Sequence, residues 1–479
     1  MNVVLISTYE LGHQPFGLAS PAAWLRQRGH EVRCFDLSRE PLDESAVRAA
    51  GLVAFYVPMH TATRLAARLV APVRRLNPRA ALCFYGLYAP VNEAWLRGLG
   101  VETILGGEFE QGLADLADRL ARPAKEASIR CHSEEPRFHR RDEESALPPA
   151  ERQPEPVVSL ARQKFVVPDR RGLVPLERYA QVVLPDGRQR VAGYTEASRG
   201  CKHRCRHCPI VPVYDGVFRV VQPEIVLEDV RQQVAAGAGH ITFGDPDFFN
   251  GPRHALEIAR AVHAEFPDLT YDVTSKVEHL RARRADLGTL RDTGCLFVTT
   301  AVESFDDAVL ARLEKGHARA DVRELVGLFR EAGLALHPTF VPFTPWTTLE
   351  SYGEFLDEIE SLDLVENVAP VQLAIRLLVT AGSRLLELED IRRLAGPFDP
   401  SGLVYPWRHP DARVDRLQRQ IEATVEACQE RHLGRAETIA LVRRQARQAL
   451  GATARSATLA ERPRVARAAI PYLTEPWYC

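Results

Sequence analysis

TEASRGCKHRCRHCPI, residues 195–210, sets Cys201, Cys205 and Cys208 in C-x3-C-x2-C spacing directly after an apolar run that reads as a strand over 193–197. Three thiols on one loop suit soft-metal ligation, and such a triplet can hold three irons of a four-iron cluster while leaving the fourth iron open. The competing reading is a structural zinc site, with His203 or His207 as a fourth ligand. Zinc patterns ordinarily use two separated pairs of ligands, and a histidine wedged between the cysteines is awkwardly placed to join them.

Outward from the triplet, further short apolar runs follow at 240–244, 271–274, 296–302, 335–341 and 368–375, separated by helical stretches such as PEIVLEDVRQQVAA and DVRELVGLFREAG. Six βα units predict a (β/α)6 barrel, complete or open, with its chemistry at the C-terminal ends of the strands. Upstream, VVLIS (3–7), VRCFD (32–36), LVAFYV (52–57), ALCFYG (81–86) and TIL (103–105) alternate with helical patterns, which predicts a doubly wound α/β domain. Between the two series, residues 122–157 are dominated by Pro, Glu, Arg and Ser and read as a linker, because such a segment cannot bury enough apolar surface to offset its ordering entropy. From 384 onward the chain reads as mainly helical. The expected layout is therefore 1–121, 122–157, 158–383 and 384–479.

Composition agrees with a multi-domain globular chain. At 479 residues, ~150 residues per domain gives about three units. The formal net charge of −2 supplies no overall attraction to nucleic acid or anionic lipid. No run approaches the ~20 apolar residues of a membrane span, and the N-terminus lacks the basic and apolar regions of a signal peptide, so a cytoplasmic location without nucleic-acid or membrane partners is expected. Of nine cysteines, six lie outside the triplet (Cys34, Cys83, Cys131, Cys295, Cys428, Cys479), and those in apolar or helical patterns are expected to be inert buried thiols.

The triplet, on this loop, resembles the radical S-adenosylmethionine (SAM) superfamily. The resemblance implies a 4Fe-4S cluster on Cys201, Cys205 and Cys208 with SAM chelated at the open iron. It also implies a set of SAM contacts. His207 holds the often aromatic position against the adenine, and Gly244, Asp245, Pro246 and Asp247 in HITFGDPDFFN hold the methionine amino group. Ser275 and Lys276 in VTSKVEH, with Glu303 and Ser304 in FVTTAVES, reach the carboxylate and ribose, and the backbone at Phe340 and Val341 faces the adenine. Arg376, a charge inside the apolar run VQLAIRLLV, needs a partner, either a substrate anion or a group that closes the barrel. Only five of the 61 basic residues are lysines, and Lys202, Lys276 and Lys315 fall near this proposed site.

The first domain is similar to the cobalamin-binding domains that precede some radical SAM barrels, which implies cobalamin as a third cofactor or a domain that merely caps the barrel. The Asp-x-His-x-x-Gly motif for a lower axial histidine is absent: His13 in LGHQPFG has no Asp two positions before it. RGCKHRCRHCPIVPVYDG, ITFGDPDFFNGP, LEKGHA, PTFVPFTPWTTL and the closing TEPWYC further resemble the narrower CUAEP/CCAEP-tail radical SAM family, which implies a selenocysteine beside Cys479. The expected partners are a one-electron donor such as flavodoxin or ferredoxin and an unidentified small-molecule or peptide substrate. A non-catalytic iron-sulfur redox sensor is the alternative, but it would need the cysteines without the GDPDF and AVES segments. A methylthiotransferase would need three more cysteines in the first domain, where only Cys34 and Cys83 lie. Trp346, Trp477 and Tyr478 are candidates for a substrate path, with packing the simpler expectation.

Overall fold

The computed structural model describes residues 1–122, 157–451 and 470–474, so most of the expected linker, Cys131, Trp477, Tyr478 and Cys479 lie outside the described residues. The chain divides into two compact units, the second including the short stretches Tyr9–Phe16 and Arg162–Pro168.

The first unit is built on strands β1 (Asn2–Ser7), β2 (Glu31–Asp36), β3 (Leu52–Tyr56), β4 (Ala81–Tyr85), β5 (Thr103–Gly107) and β6 (Val157–Ser159), in the spatial order β2-β1-β3-β4-β5-β6. Every pairing is parallel. Strands covered by helices on both faces must be apolar on both faces, and β3 (LVAFY) is accordingly buried at all its positions. Helices α1 (Phe16–Gln27), α2 (His60–Leu76) and α3 (Glu110–Ala121) supply the crossovers. The order reverses between β1 and β3, the switch point at which open parallel sheets form a ligand crevice. In this unit sequence reasoning missed β6, which was hidden because VVS continues a polar, proline-rich stretch.

The second unit holds β7 (Gln181–Val183), β8 (Gln189–Thr195), β9 (Ser198–Gly200), β10 (Phe218–Val220), β11 (His240–Phe243), β12 (Thr270–Thr274), β13 (Cys295–Glu303), β14 (Ala335–Phe340) and β15 (Tyr472–Leu473). Its main sheet runs β14-β13-β12-β11-β8-β7-β15. The first five of these strands are mutually parallel, whereas β7 pairs antiparallel with β8 and with β15. The intervening helices include α4 (Pro223–Ala235), α5 (Pro252–Glu265), α6 (Val277–Ala282), α7 (Arg319–Ala332) and α8 (Leu349–Ser361).

The expected sixth barrel strand over 368–375 does not form. Pro370 opens a 3-10 turn through Leu373, and the Gln372 side-chain oxygen accepts the Phe340 N–H at 2.9 Å, replacing the main-chain ladder that β14 would have offered. Only a single parallel bridge, Phe343 to Arg376, remains. The unit is thus a five-stranded half-barrel. Beyond it, α9 (Ala412–Glu430) and α10 (Arg435–Ala449) are not a separate body: Leu417, Ile421, Val425, Ile439 and Val442 are buried in the same core as Val298 of β13 and Leu336 of β14. The stretch between α8 and α9 is mostly irregular, with bridges at Thr380–Val404 and Ala395–Trp407.

Candidate functional site

Because β8, β11, β12, β13 and β14 run parallel, the segments that follow them gather along one edge of the sheet. The strand ends and those segments carry every site residue expected from the sequence except Arg376, which makes the bridge to Phe343. The cysteine loop leaves β8 at Thr195, and its base is clasped by the antiparallel ribbon β9–β10. Gly200 precedes Cys201 at φ +72, where a Cβ would meet the Tyr214 ring at 2.4 Å and the Val217 carbonyl at 2.5 Å, so the chain needs glycine here to enter the loop. Cys201 and Cys205 are buried and Cys208 is partly exposed.

Cys201 and Cys208 resist ionisation. Burial, and then the Cys205 and Cys201 sulfurs, push Cys208 up to about 12, while burial also raises Cys201. Thiols that resist ionising unaided suit a cationic metal centre that supplies the missing positive charge. Two of the chain's few lysines help. Lys276 Nζ stands 3.8 Å from Cys205 Sγ, and Lys315 is 3% exposed. Burial opposes the Lys315 charge, but Glu303 and the Cys205 sulfur hold its pKa above the ordinary lysine value.

Each strand end contributes through a definite contact. At β11, Gly244 is required because a Cβ would sit 1.8 Å from the Tyr194 hydroxyl oxygen. Asp245 turns back to the cysteine loop, accepting from Ala197 N at 2.9 Å and Ser198 Oγ at 2.5 Å; its pKa is pushed up to about 7, chiefly by burial. Pro246 is partly exposed between the two aspartates. Asp247 is fully buried. Its Oδ1 accepts from Ser275 Oγ (2.6 Å), Phe249 N (3.2 Å) and Lys276 N (3.4 Å), and its Oδ2 lies 2.5 Å from His279 Nδ1. Burial works against this charge, yet His279 and Ser275 keep its pKa below the usual carboxylate value. Both aspartate side chains are therefore occupied in joining loops, and Ser275 and Lys276 belong to the same network.

At β13, Glu303 adopts φ +69 next to a register shift in its pairing with β14, a bulge that re-aims the side chain. Its carboxylate meets His207 Nε2 at 3.0 Å and Lys315 Nζ at 3.2 Å. Burial would raise its pKa, but Lys315 and then His207 hold it far below the carboxylate range. The position expected against adenine is thus tied by its imidazole to the β13 carboxylate. Ser304 is placed differently, lining a cleft of about 320 Å³ with Phe305, Asp306, Arg319 and Tyr352. At β14, the Phe340 N–H goes to Gln372 and the Val341 N–H to the Glu303 carbonyl at 2.9 Å.

Arg376 has partners within the fold. Its guanidinium bonds Asp415 Oδ1 (2.7 Å) and the Trp407 carbonyl (2.8 Å) and lies 3.5 Å over the Trp407 ring. Trp346 likewise packs, donating to Asp390 at 2.6 Å. Sequence reasoning missed Asn250, which accepts from Lys202 N and donates to the Gly200 carbonyl, gripping the cysteine loop at both ends of its first turn. It also missed Glu278 and His279. They stand in the quoted VTSKVEH segment, and their spacing just after a strand was the available signal.

In the first unit, the C-terminal ends of β3 and β4 and the turn after β5 hold an aromatic trio, Tyr56, Tyr85 and Phe109, with ring centroids 5.0–5.9 Å apart. Gly17 has no room for a Cβ, which would stand 2.2 Å from the Tyr56 ring. Ser7 Oγ, at the end of β1, is buried without a hydrogen-bond partner. Cys34 on β2 and Cys83 on β4 are separated by two strands, and burial raises both thiols, Cys34 to about 12.

Comparison with known proteins places this geometry. Residues 195–395, within the half-barrel unit, match the sequence model of the Radical SAM superfamily. A curated relative, tRNA-2-methylthio-N(6)-dimethylallyladenosine synthase of Desulfosudis oleivorans, is 28% identical over 186 residues, which is 37% of this chain and 38% of that protein. The chain thus matches well under half the length of that relative. Among solved structures, the cobalamin-dependent SAM radical enzyme OxsB with aqua-cobalamin and SAM bound superposes with a TM-score of 0.67 at 13% identity, covering 92% of this chain and 72% of that one. The radical SAM methyltransferase TsrM of Kitasatospora setae, with cobalamin and a 4Fe-4S cluster bound, gives 0.57 at 19% identity, covering 76% and 70%. At these identities the likeness is one of fold, and that fold is the α/β arrangement expected from the sequence. No helix among the described residues is long and apolar enough to cross a membrane.

Proposed function

We propose that the chain is a radical SAM enzyme that holds a 4Fe-4S cluster on Cys201, Cys205 and Cys208 and a corrinoid at the strand ends of its first unit, and that it methylates a substrate. The observation that carries the reading is the thiol trio: one loop of a superfamily-matched half-barrel brings three thiols together beside two buried ammonium groups. A cluster held by Cys201, Cys205 and Cys208 would supply the electron for reductive cleavage of SAM, and a corrinoid held by the first unit would supply a transferable methyl group.

The protein's part is positioning and charge. Asp245 and Asn250 fix the cysteine loop, Lys276 and Lys315 offset thiolate charge, and Glu303 with His207 presents an oriented carboxylate–imidazole pair for the nucleoside portion of SAM. In the first unit, the glycine-lined aromatic edge and the orphaned Ser7 hydroxyl suit a large planar ligand with one polar contact. No axial histidine motif is needed for that mode. The electron donor is proposed to be a flavodoxin or ferredoxin, the substrate a small molecule or peptide, and the narrower CUAEP/CCAEP kinship is part of the same proposal. Methylthiotransfer is disfavoured despite the curated relative, because Cys34 and Cys83 stand on strands too far apart in the sheet to share a second cluster.

The test is anaerobic reconstitution with iron, sulfide and hydroxocobalamin, then SAM and dithionite, reading 5′-deoxyadenosine by mass spectrometry and protein-bound corrinoid by visible absorption. Product in the intact chain and none in the Cys201, Cys205, Cys208→Ala variant supports the reading. An intact four-iron spectrum with no SAM cleavage overturns it in favour of a redox sensor.

A further inference from the structure

We infer that His203, Asp247 and His279 form a second metal site, mononuclear and free of thiolate, for a divalent first-row transition metal of the zinc or ferrous type. Three segments distant in sequence supply the donors: the cysteine loop, the turn after β11 and the single-turn helix α6. One ligand atom from each lies within 4.8 Å of the other two. His279 Nδ1 is 2.5 Å from Asp247 Oδ2, His203 Nε2 is 3.9 Å from the same oxygen, and the two Nε2 atoms are 3.2 Å apart.

The two oxygens of Asp247 behave differently. Oδ1 is saturated by Ser275 Oγ and the backbone N–H groups of Phe249 and Lys276, whereas Oδ2 has no aligned hydrogen-bond donor although the side chain is 0% exposed. His279 Nδ1 is likewise buried without an aligned partner, despite touching that oxygen. A carboxylate held by outer donors through one oxygen, and facing two imidazoles with the other, is arranged as a monodentate metal ligand with its supporting shell already in place.

The donor set fixes the class of ion. Two imidazoles and one carboxylate are borderline ligands that suit zinc and ferrous iron and do not suit calcium or magnesium, which take oxygen donors. Three protein ligands leave coordination positions open. Glu278 lies to one side: its Oε2 is 3.6 Å from His203 Nδ1 and 2.7 Å from Lys276 Nζ, in space kept free by Gly316, whose Cβ would fall 2.2 Å from the Glu278 carboxylate. The second metal would therefore be braced by the lysine that stands at Cys205.

The site is tested without the cluster. The Cys201, Cys205, Cys208→Ala chain, stripped with chelator and checked for native circular dichroism, is titrated with Co2+ and then with Zn2+. Expected are a single equivalent of cobalt with visible d–d absorption and no thiolate-to-cobalt charge-transfer band, its displacement by zinc, and at least tenfold weaker binding on adding His203→Ala. Adding His279→Gln provides a second variant, with the same tenfold loss expected. No cobalt uptake by the folded triple variant, uptake with a charge-transfer band, or uptake unmoved by both histidine changes would each overturn the inference. None of these outcomes depends on whether the thiols bind a four-iron cluster.

Discussion

Removing the Asp245 side chain should loosen the cysteine loop without touching a cysteine. Asp245 is 3% exposed and accepts two hydrogen bonds, from Ala197 N and Ser198 Oγ, at the base of the loop. Asp245→Ala leaves two buried donors unpaired, and each such group costs ~1–3 kcal/mol, so a loss of about 2–6 kcal/mol is expected. Asp245→Asn retains the shape: its amide oxygen takes the Ala197 N–H and its NH2 donates to the serine hydroxyl, so the loss should be about 0–1 kcal/mol near pH 5. The sign of the pH effect follows from the raised carboxyl. A folded-state pKa near 7 against an unfolded 3.8 contributes stability that is complete below pH 3.8 and is lost as pH rises through 7. The asparagine variant lacks that loss, so its deficit relative to wild type should shrink or reverse by pH 8. The assays are urea unfolding midpoints at pH 5 and pH 8, with iron per chain after anaerobic reconstitution. Full iron retention by Asp245→Ala, with a midpoint equivalent to less than ~0.5 kcal/mol of destabilisation, would refute the claim that this carboxyl fixes the loop.

Glu358, 3% exposed between Arg319 and Arg323, is held near pKa 2, first by its hydrogen bond to Arg323; because that arginine is half exposed, Glu358→Gln should cost only about 1–2 kcal/mol at neutral pH. A depressed carboxyl contributes stability above its unfolded 4.5 that disappears as pH falls toward 2, so wild-type and variant unfolding midpoints should converge at pH 2. Arg376→Ala breaks the pair with Asp415 and the stack on Trp407 and should lower stability by about 1–3 kcal/mol, with SAM affinity by equilibrium dialysis unchanged; a selective loss of substrate or SAM binding at unchanged stability would show that closure is not its role. Gly17→Ala drives a methyl into the Tyr56 ring and should destabilise the first unit by about 1–3 kcal/mol, measured by calorimetry, and weaken corrinoid uptake by visible absorption, whereas Gly98→Ala, which meets nothing within 4 Å, should do neither.

The parallel strands were legible because strands buried on both faces write continuous apolar runs, as LVAFY and ALCFY do. The same property misled at VQLAIRLLV. That run is equally apolar, but Pro370 and the Gln372 amide turn its first half into a 3-10 turn, and a side-chain acceptor of this kind leaves no trace in hydrophobic periodicity. The strand β6 failed in the opposite way, since three residues after a proline-rich stretch carry too little pattern to be read.

The site divides along a similar line. Cysteine spacing is local, and so it was readable; convergence is not, and His203, Asp247 and His279 meet only because the β8, β11 and β12 ends share one edge of the sheet. Lysine scarcity was the compositional signal that did reach the site. A chain that meets nearly every cationic need with arginine places lysine at 276 and 315, where the partner is a buried sulfur or a carboxylate wedged behind it. A planar guanidinium asks for a fork of acceptors, whereas a compact ammonium can neutralise a point charge in a confined space. Arginine at either position would bring donors that the thiol loop cannot satisfy, which makes the rarity of lysine elsewhere informative about its two buried positions here.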